Sequence, residues 1–145
     1  MTVSLTTARE EVWTAIESDA ELSSVFAQKL KYDSPSNVRQ QEEPAFGELP
    51  AIAIRPLLIT PDRPYNNMFR LPYRLLVRVW TAHWVLADIE THTENIVKAI
   101  NSNASTRRRN PEFQVSIGPT NLKGSDGQPG PLVMRADIQV TVETC

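Results

Sequence analysis

Residues 73–100, YRLLVRVWTAHWVLADIETHTENIVKAI, decide the fold because two hydrophobic periods follow one another in this stretch. From residue 73 to residue 81 apolar side chains recur at every second position, which predicts a β-strand. One face of this strand is apolar and comprises Tyr73, Leu75, Val77 and Val79. Beyond residue 88 the spacing becomes helical, and the helix has one apolar stripe formed by Ile89, Thr93, Ile96, Val97 and Ile100.

Weaker signals of the same two kinds surround this stretch. Two helices are predicted before it, the second of them capped by Asp19. Further strands are predicted at 51–55, 113–117 and 132–143. The order ααββαββ predicts an α+β domain of two layers, in which helices pack on one face of a four-stranded, mainly antiparallel sheet. With 145 residues, the chain is expected to form a single domain, 1–145.

Two details of this prediction concern the ends of elements. The second helix is expected to continue past residue 30, with an inward face of Leu22, Val25, Phe26 and Leu30. Long loops are expected near 33–50, 56–72 and 118–131, because proline, glycine and polar residues concentrate there. The last of these stretches carries four of the five glycines.

Composition limits the classes of function. The formal net charge is −2, so the chain as a whole does not attract nucleic acid or an anionic membrane. No apolar run approaches the roughly 20 residues that span a bilayer, and a signal peptide is not expected. The single cysteine, Cys145, cannot form an intramolecular disulfide. We therefore expect a soluble protein made in the cytoplasm.

Both histidines lie in the quoted stretch, beside carboxylates, which makes a metal site or an acid–base site an alternative hypothesis. His83, Asp88 and His92 are its candidate residues. At about 100° per residue, Glu90 and Glu94 each lie about 160° around the helix from His92, too far for shared coordination. Asp88 and His92 alone supply two ligands, whereas zinc usually has three or four protein ligands.

The sequence contains no motif of nucleophilic catalysis, of a phosphate-binding loop or of a dinucleotide site. The glycines near 124–127 lack both the required spacing and the strand–turn–helix setting. We therefore predict that the protein is not an enzyme and has no cofactor and no metal.

Two groups of residues remain as candidates for partner contacts. Arg107, Arg108 and Arg109 follow the long helix, where their charge suits the helix dipole, and they are candidates for contact with an acidic partner or with passing DNA. The second group carries cationic and aromatic side chains around the central strand and is predicted to form a subunit interface: Arg74, Arg78, Trp80 and Trp84.

The layout of the whole chain resembles the tail terminator family of tailed bacteriophages, also known as minor tail or tail completion proteins. The likeness covers the N-terminal helix, the approach ELPAIAI at 48–54, and a long arm. It continues with the basic and apolar strand RLLVRVW at 74–80, a helix opened by DIE at 88–90, and the closing strand ADIQVTV at 136–142.

This resemblance implies a structural role in the virion neck. Such proteins form rings, expected to be hexamers, that cap the tail tube, stop its polymerisation and join the tail to the head. The implied partners are further copies of the chain, the tail tube protein and the head–tail connector protein, assembled in the bacterial cytoplasm. The alternatives are another connector or completion protein of the same virion, or a small metal-binding or DNA-binding module.

Overall fold

The computed structural model describes residues 5–26, 28–31, 44, 46–57, 72–124 and 127–143. Its helices are α1 (Leu5–Ser18), α2 (Ala20–Val25), α3 (Leu86–Ser102) and α4 (Ala104–Arg107), with a 3₁₀ turn at Phe46–Glu48. Its strands are β1 (Gln28–Lys31), β2 (Ala51–Pro56), β3 (Pro72–Ala82), β4 (Glu112–Lys123) and β5 (Pro129–Glu143). None of the helices in these ranges combines the length and the apolar character of a membrane span.

The strands form one sheet in the order β1-β2-β3-β5-β4. Strands β2, β3, β5 and β4 pair antiparallel, and β3 pairs with β5 along its whole length, from Pro72 opposite Glu143 to Ala82 opposite Val133. The four strands that the sequence predicts and the α+β class are therefore confirmed. Strand β1 is an addition, and it pairs with β2 in parallel.

The predicted length of the second helix is wrong. Asp19 caps α2 as expected, since its side chain accepts a hydrogen bond from the backbone N–H of Leu22 at 3.0 Å. The helix ends at Val25, which is exposed, and Leu30 lies in β1 instead of on a helix face. The pairing of β1 with β2 replaces helical hydrogen bonds here, a tertiary preference that overrides local propensity.

The helices cover one face of the sheet, and we call this face the covered face. The predicted apolar faces of the central strand and of the long helix are confirmed, because both lie in one buried core. Its sheet residues include Ile52, Leu75, Val77, Val79, Ala136, Ile138 and Val140, and its helix residues include Val12, Trp13, Ile16, Leu22, Ile89, Ile96 and Ile100. Each helix thus buries its apolar stripe against strands that alternate in sequence.

The opposite face of the sheet, which we call the open face, has a smaller apolar cluster at one end. Trp80 is its largest side chain, and Ala51, Ala53, Leu122 and Val133 surround it. The rest of this face carries charged and polar side chains from β2, β3, β4 and β5. The two faces therefore differ in both apolar content and charge.

The stretch 118–131 is a long hairpin in which the two strands extend through most of the predicted loop. Strand β4 runs to Lys123 and β5 begins at Pro129. At Gly130 a Cβ atom would collide with the backbone of Leu122 in β4, so only glycine permits this approach. Gly127 adopts a positive φ of 76° in the turn. The glycines thus close a tight hairpin, and the loop prediction for this stretch is wrong.

The predicted loops near 33–50 and 56–72 lie largely outside the described residues. The described parts show that residues 46–48 form the 3₁₀ turn and that Pro56 and Pro72 belong to strands.

Candidate functional site

The histidine stretch forms the corner between β3 and α3. His83 and Trp84 occupy an exposed turn, and α3 begins at Leu86. His92 is half-buried, and its ring contacts Phe26 edge-on with centroids 5.0 Å apart. Burial lowers the pKa of His92 from its usual value, and the negative charge of Asp88 opposes that shift. The ring therefore packs between α3 and the end of α2.

The carboxylates near His92 do not converge on it. Asp88, Glu90 and Glu94 are all exposed on α3. In the part of the chain that the structure describes, no group of three or more histidine, cysteine or carboxylate side chains is arranged to hold a metal ion.

Arg109 was a candidate for contact with a partner, but the fold buries its side chain. Its side chain is 5% exposed, and its guanidinium contacts both carboxylate oxygens of Glu11 in α1: Nε donates to Oε2, and Nη2 donates to Oε1 at 3.4 Å. Its Nη1 also donates to the backbone carbonyl of Glu143 at 2.9 Å. Arg109 therefore joins α1 to the end of β5 and is not accessible to a partner.

The other two members of the arginine triplet are exposed. Arg108 is 59% exposed and donates through Nη2 to Oε1 of Glu11 at 3.0 Å. Arg107 is the last residue of α4. The triplet is thus divided by the fold, and only Arg107 and Arg108 remain as candidate contacts.

Glu11 receives both Arg108 and Arg109, and its ionisation reflects this. Burial raises the pKa of this carboxyl group, but the hydrogen bonds and charges of Arg109 and Arg108 outweigh that effect and lower the pKa below its usual value. The sequence does not indicate Glu11 as a partner, because it lies 98 residues before Arg109. We call Glu11, Arg108 and Arg109 the clamp.

Trp80 is inaccessible, so its predicted role as a subunit contact is wrong. Its side chain is fully buried in the cluster on the open face. Among the described residues its indole N–H has no hydrogen-bond acceptor. The alternation of β3 correctly predicts that Trp80 lies on the open face. Its burial there could not be predicted from that alternation, because it depends on Ala51 and Ala53 of β2 and on Leu122 of the hairpin.

Trp84 is the accessible member of the tryptophan pair, with 74% of its surface exposed. Its ring lies at a tilt to that of Phe46, with centroids 6.3 Å apart, and Phe46 is itself exposed. Leu86, two residues further on, is half exposed. We call Phe46, Trp84 and Leu86 the aromatic corner. The sequence does not predict that Phe46 and Leu86 are exposed, because neither residue breaks the apolar spacing of a predicted helix or strand.

Arg74 and Arg78 lie on the open face of β3, as the alternation predicts, in different surroundings. Arg74 is exposed. Arg78 is half-buried, and its Nε lies 3.2 Å from Oδ1 of Asp137 on the neighbouring strand. Nε of Arg135 lies 3.2 Å from the same oxygen. We call Arg78, Arg135 and Asp137 the sheet-face cluster.

A depression of about 480 Å³ lies beside the sheet-face cluster and crosses the open face from β2 to β4. Its lining combines charged, amide, hydroxyl and apolar side chains: Arg55, Leu57, Leu76, Arg78, Gln114, Val115, Ser116, Asp137 and Gln139. The surface is therefore a shallow polar groove with apolar patches, suited to contact with another molecule.

Comparison with known proteins gives no independent identification. No protein-family model matches the chain, and no curated protein is significantly similar to it.

Proposed function

We propose that this protein acts by assembly, as a tail terminator that forms a ring on the end of a phage tail tube and joins the tail to the head connector. The observation that carries the proposal is the aromatic corner, where Trp84 is 74% exposed beside an exposed Phe46. A large aromatic side chain this accessible typifies a protein–protein interface more than the general surface of a domain.

Energetics favour a contact role for the aromatic corner. A tryptophan at the centre of an interface commonly contributes about 2 kcal/mol or more to binding, as measured by its truncation to alanine. In a ring every subunit makes the same contact twice, once with each neighbour, so even a modest interface yields a stable assembly.

A ring built from identical subunits requires two different complementary patches on each subunit. The aromatic corner is apolar, whereas the open face near Arg78 is polar and charged. The chain thus presents two surfaces of different character. The resemblance of the whole chain to tail terminators supplies the remaining expectation, a position in the virion neck against the tail tube and the connector. No cofactor enters this function.

The test is an electron-microscope image and a solution mass of the purified protein, alone and mixed with tail tubes. We expect rings, and caps on the tube ends. The variant Trp84→Ser is expected to stay folded but to lose ring formation. A control is Leu132→Ser, which removes another exposed apolar side chain, 41% exposed, from β5. A wild-type chain that stays monomeric and never associates with tubes would overturn the proposal.

The nearest alternative is another connector or completion protein of the same virion. Such a protein would share the exposed aromatic corner, so the two functions differ only in the partner. Binding of the purified protein to isolated tail tubes supports the terminator, and binding to isolated connectors without tubes supports the alternative.

A further inference from the structure

Two arginines on the open face share one carboxylate oxygen. Arg78 in β3 and Arg135 in β5 each place Nε 3.2 Å from Oδ1 of Asp137. All three side chains are partly buried, between 23% and 29% exposed. Because two positive groups meet one negative group, the cluster has one excess positive charge. Partial burial weakens the screening of that charge by water.

The contacts with Asp137 leave donor capacity for a ligand. A guanidinium has five N–H donors arranged in a plane, and the contact of Arg78 with Asp137 runs through Nε. Arg78 also lines the depression. Arg135 lies on the same strand as Asp137, two residues before it and opposite Trp80 of β3. Arg78 therefore meets the depression with N–H donors that the contact with Asp137 does not use.

The remaining lining suits a peptide segment. Gln114, Ser116 and Gln139 supply amide and hydroxyl groups that hydrogen-bond a peptide backbone, and Leu76 and Val115 supply apolar contacts. The depression is also bounded by β4, which is one of the two edge strands of the sheet in the part of the chain that the structure describes, so an extended segment can enter from the side.

From this geometry we infer that the depression binds an acidic segment of a protein partner, and that Arg78 holds one carboxylate of that segment. A carboxylate has the single negative charge that matches the excess of the cluster, and it pairs well with a guanidinium. A nucleic-acid backbone fits less well, because it lacks the peptide N–H and C=O groups that the amide and hydroxyl side chains of the lining can bond. The inference goes beyond the proposed function, because the depression is formed by a single chain and does not depend on ring formation.

The experiment measures fluorescence anisotropy of a labelled, capped hexaglutamate peptide with the full chain. A capped hexaglutamine peptide and a short thymidine oligonucleotide serve as comparison probes. Three variants are measured: Arg78→Gln, Asp137→Asn and the control Lys98→Gln, which removes the same charge from an exposed site on α3. The melting temperature of each variant verifies its folding.

We expect hexaglutamate to bind more tightly than hexaglutamine. Arg78→Gln should weaken hexaglutamate binding roughly tenfold, the effect of losing one charge-assisted hydrogen bond. Asp137→Asn should strengthen it, because the excess positive charge increases. Lys98→Gln should change it less than roughly twofold, as for an exposed charge.

Three results would overturn the inference. One is equal binding of the two peptides, and another is an equal loss of hexaglutamate binding in Arg78→Gln and Lys98→Gln. The third is oligonucleotide binding as tight as peptide binding with the same dependence on Arg78, which would assign the depression to phosphates. If Arg78→Gln does not fold, Asp137→Asn decides alone, and unchanged or weaker hexaglutamate binding by that variant overturns the inference. Ring formation is measured in a separate experiment, so a failure of the proposed function can be distinguished from a failure of peptide binding.

Discussion

The clamp and the sheet-face cluster contain the same chemistry, two arginines around one carboxylate, in two different settings. In the clamp, Arg109 uses both oxygens of Glu11 and is 5% exposed, while Arg108 completes the contact from outside. In the sheet-face cluster, Arg78 and Arg135 reach a single oxygen of Asp137, and none of the three is fully buried. The clamp also bonds to backbone, through Arg109 and the carbonyl of Glu143.

This difference shows that geometry, more than residue type, decides what an ion cluster does. A guanidinium that satisfies both oxygens of a carboxylate and a backbone carbonyl has few donors left for another molecule. It therefore connects elements of the fold, here α1 and β5. Guanidiniums that share one oxygen beside a depression keep donors available and can serve recognition. Four predictions test this contrast, beginning with the largest expected effect.

Arg109→Gln should lower the free energy of unfolding by about 3 kcal/mol, because it leaves the partly buried carboxylate of Glu11 without its main partner. Chemical denaturation at neutral pH measures the change. Arg107→Gln is the matched control, and its effect should stay within about 0.5 kcal/mol because the residue is exposed. Equal effects of the two substitutions would show that the clamp does not stabilise the fold.

Acidification should weaken the clamp. Because the pKa of Glu11 is lowered in the folded protein from its usual value of 4.5, the folded state binds the proton less readily than the unfolded state does. The stability that this group contributes is complete above 4.5 and is lost as the pH falls through the folded pKa. Glu11→Gln should be less stable than wild type at pH 7, and the difference should shrink below 4.5. Unfolding curves across the acid range measure it, and a constant difference would contradict the assignment.

Asp137→Asn should change the free energy of unfolding by less than about 1 kcal/mol, since all three groups of the sheet-face cluster are accessible to water. The reason is that both arginines are partly exposed, so water can solvate their guanidinium groups when Asp137 is replaced. Thermal or chemical denaturation beside wild type measures the change. A loss comparable to that of Arg109→Gln would place the sheet-face cluster in the same structural role as the clamp.

The smallest effect should come from the outer half of the clamp. A double-mutant cycle of Arg108→Ala and Glu11→Ala should give a coupling energy of about 0.5 kcal/mol, because Arg108 is 59% exposed. The equivalent cycle of Arg109 with Glu11 should give a clearly larger coupling. Equal couplings would mean that burial does not distinguish the two arginines.

Much of the fold follows from local pattern. The alternation at 73–81 and the helical stripe at 89–100 both depend only on the spacing of apolar residues, and both are confirmed in the buried core. The errors occur where pairing decides the structure. Leu30 lies in a strand because β2 offers it a partner, and the glycines near 118–131 close a hairpin because two strands approach across them.

The candidate contacts were predictable in part. Alternation correctly placed Arg78 on the open face. Trp84 is exposed, and its role as a subunit contact stays a prediction. The sequence does not distinguish the three arginines of the triplet. In the structure they differ, because Arg109 alone among them bonds to both Glu11 of α1 and the backbone of Glu143 at the end of β5 in the described residues. Phe46 and Asp137 had no signal at all, since each depends on a neighbour distant in sequence.

By itself, the sequence determined which residues alternate, which form a helical stripe, and therefore the α+β class. These properties are local, because the spacing of apolar residues that identifies a helix or strand lies within that helix or strand. Only the tertiary structure decided that Trp80 is buried while Trp84 is exposed, and that one arginine pair closes around Glu11 while another stays open around Asp137. Burial and ionic pairing depend on which elements meet, and residues about 98 positions apart meet only when the chain has folded.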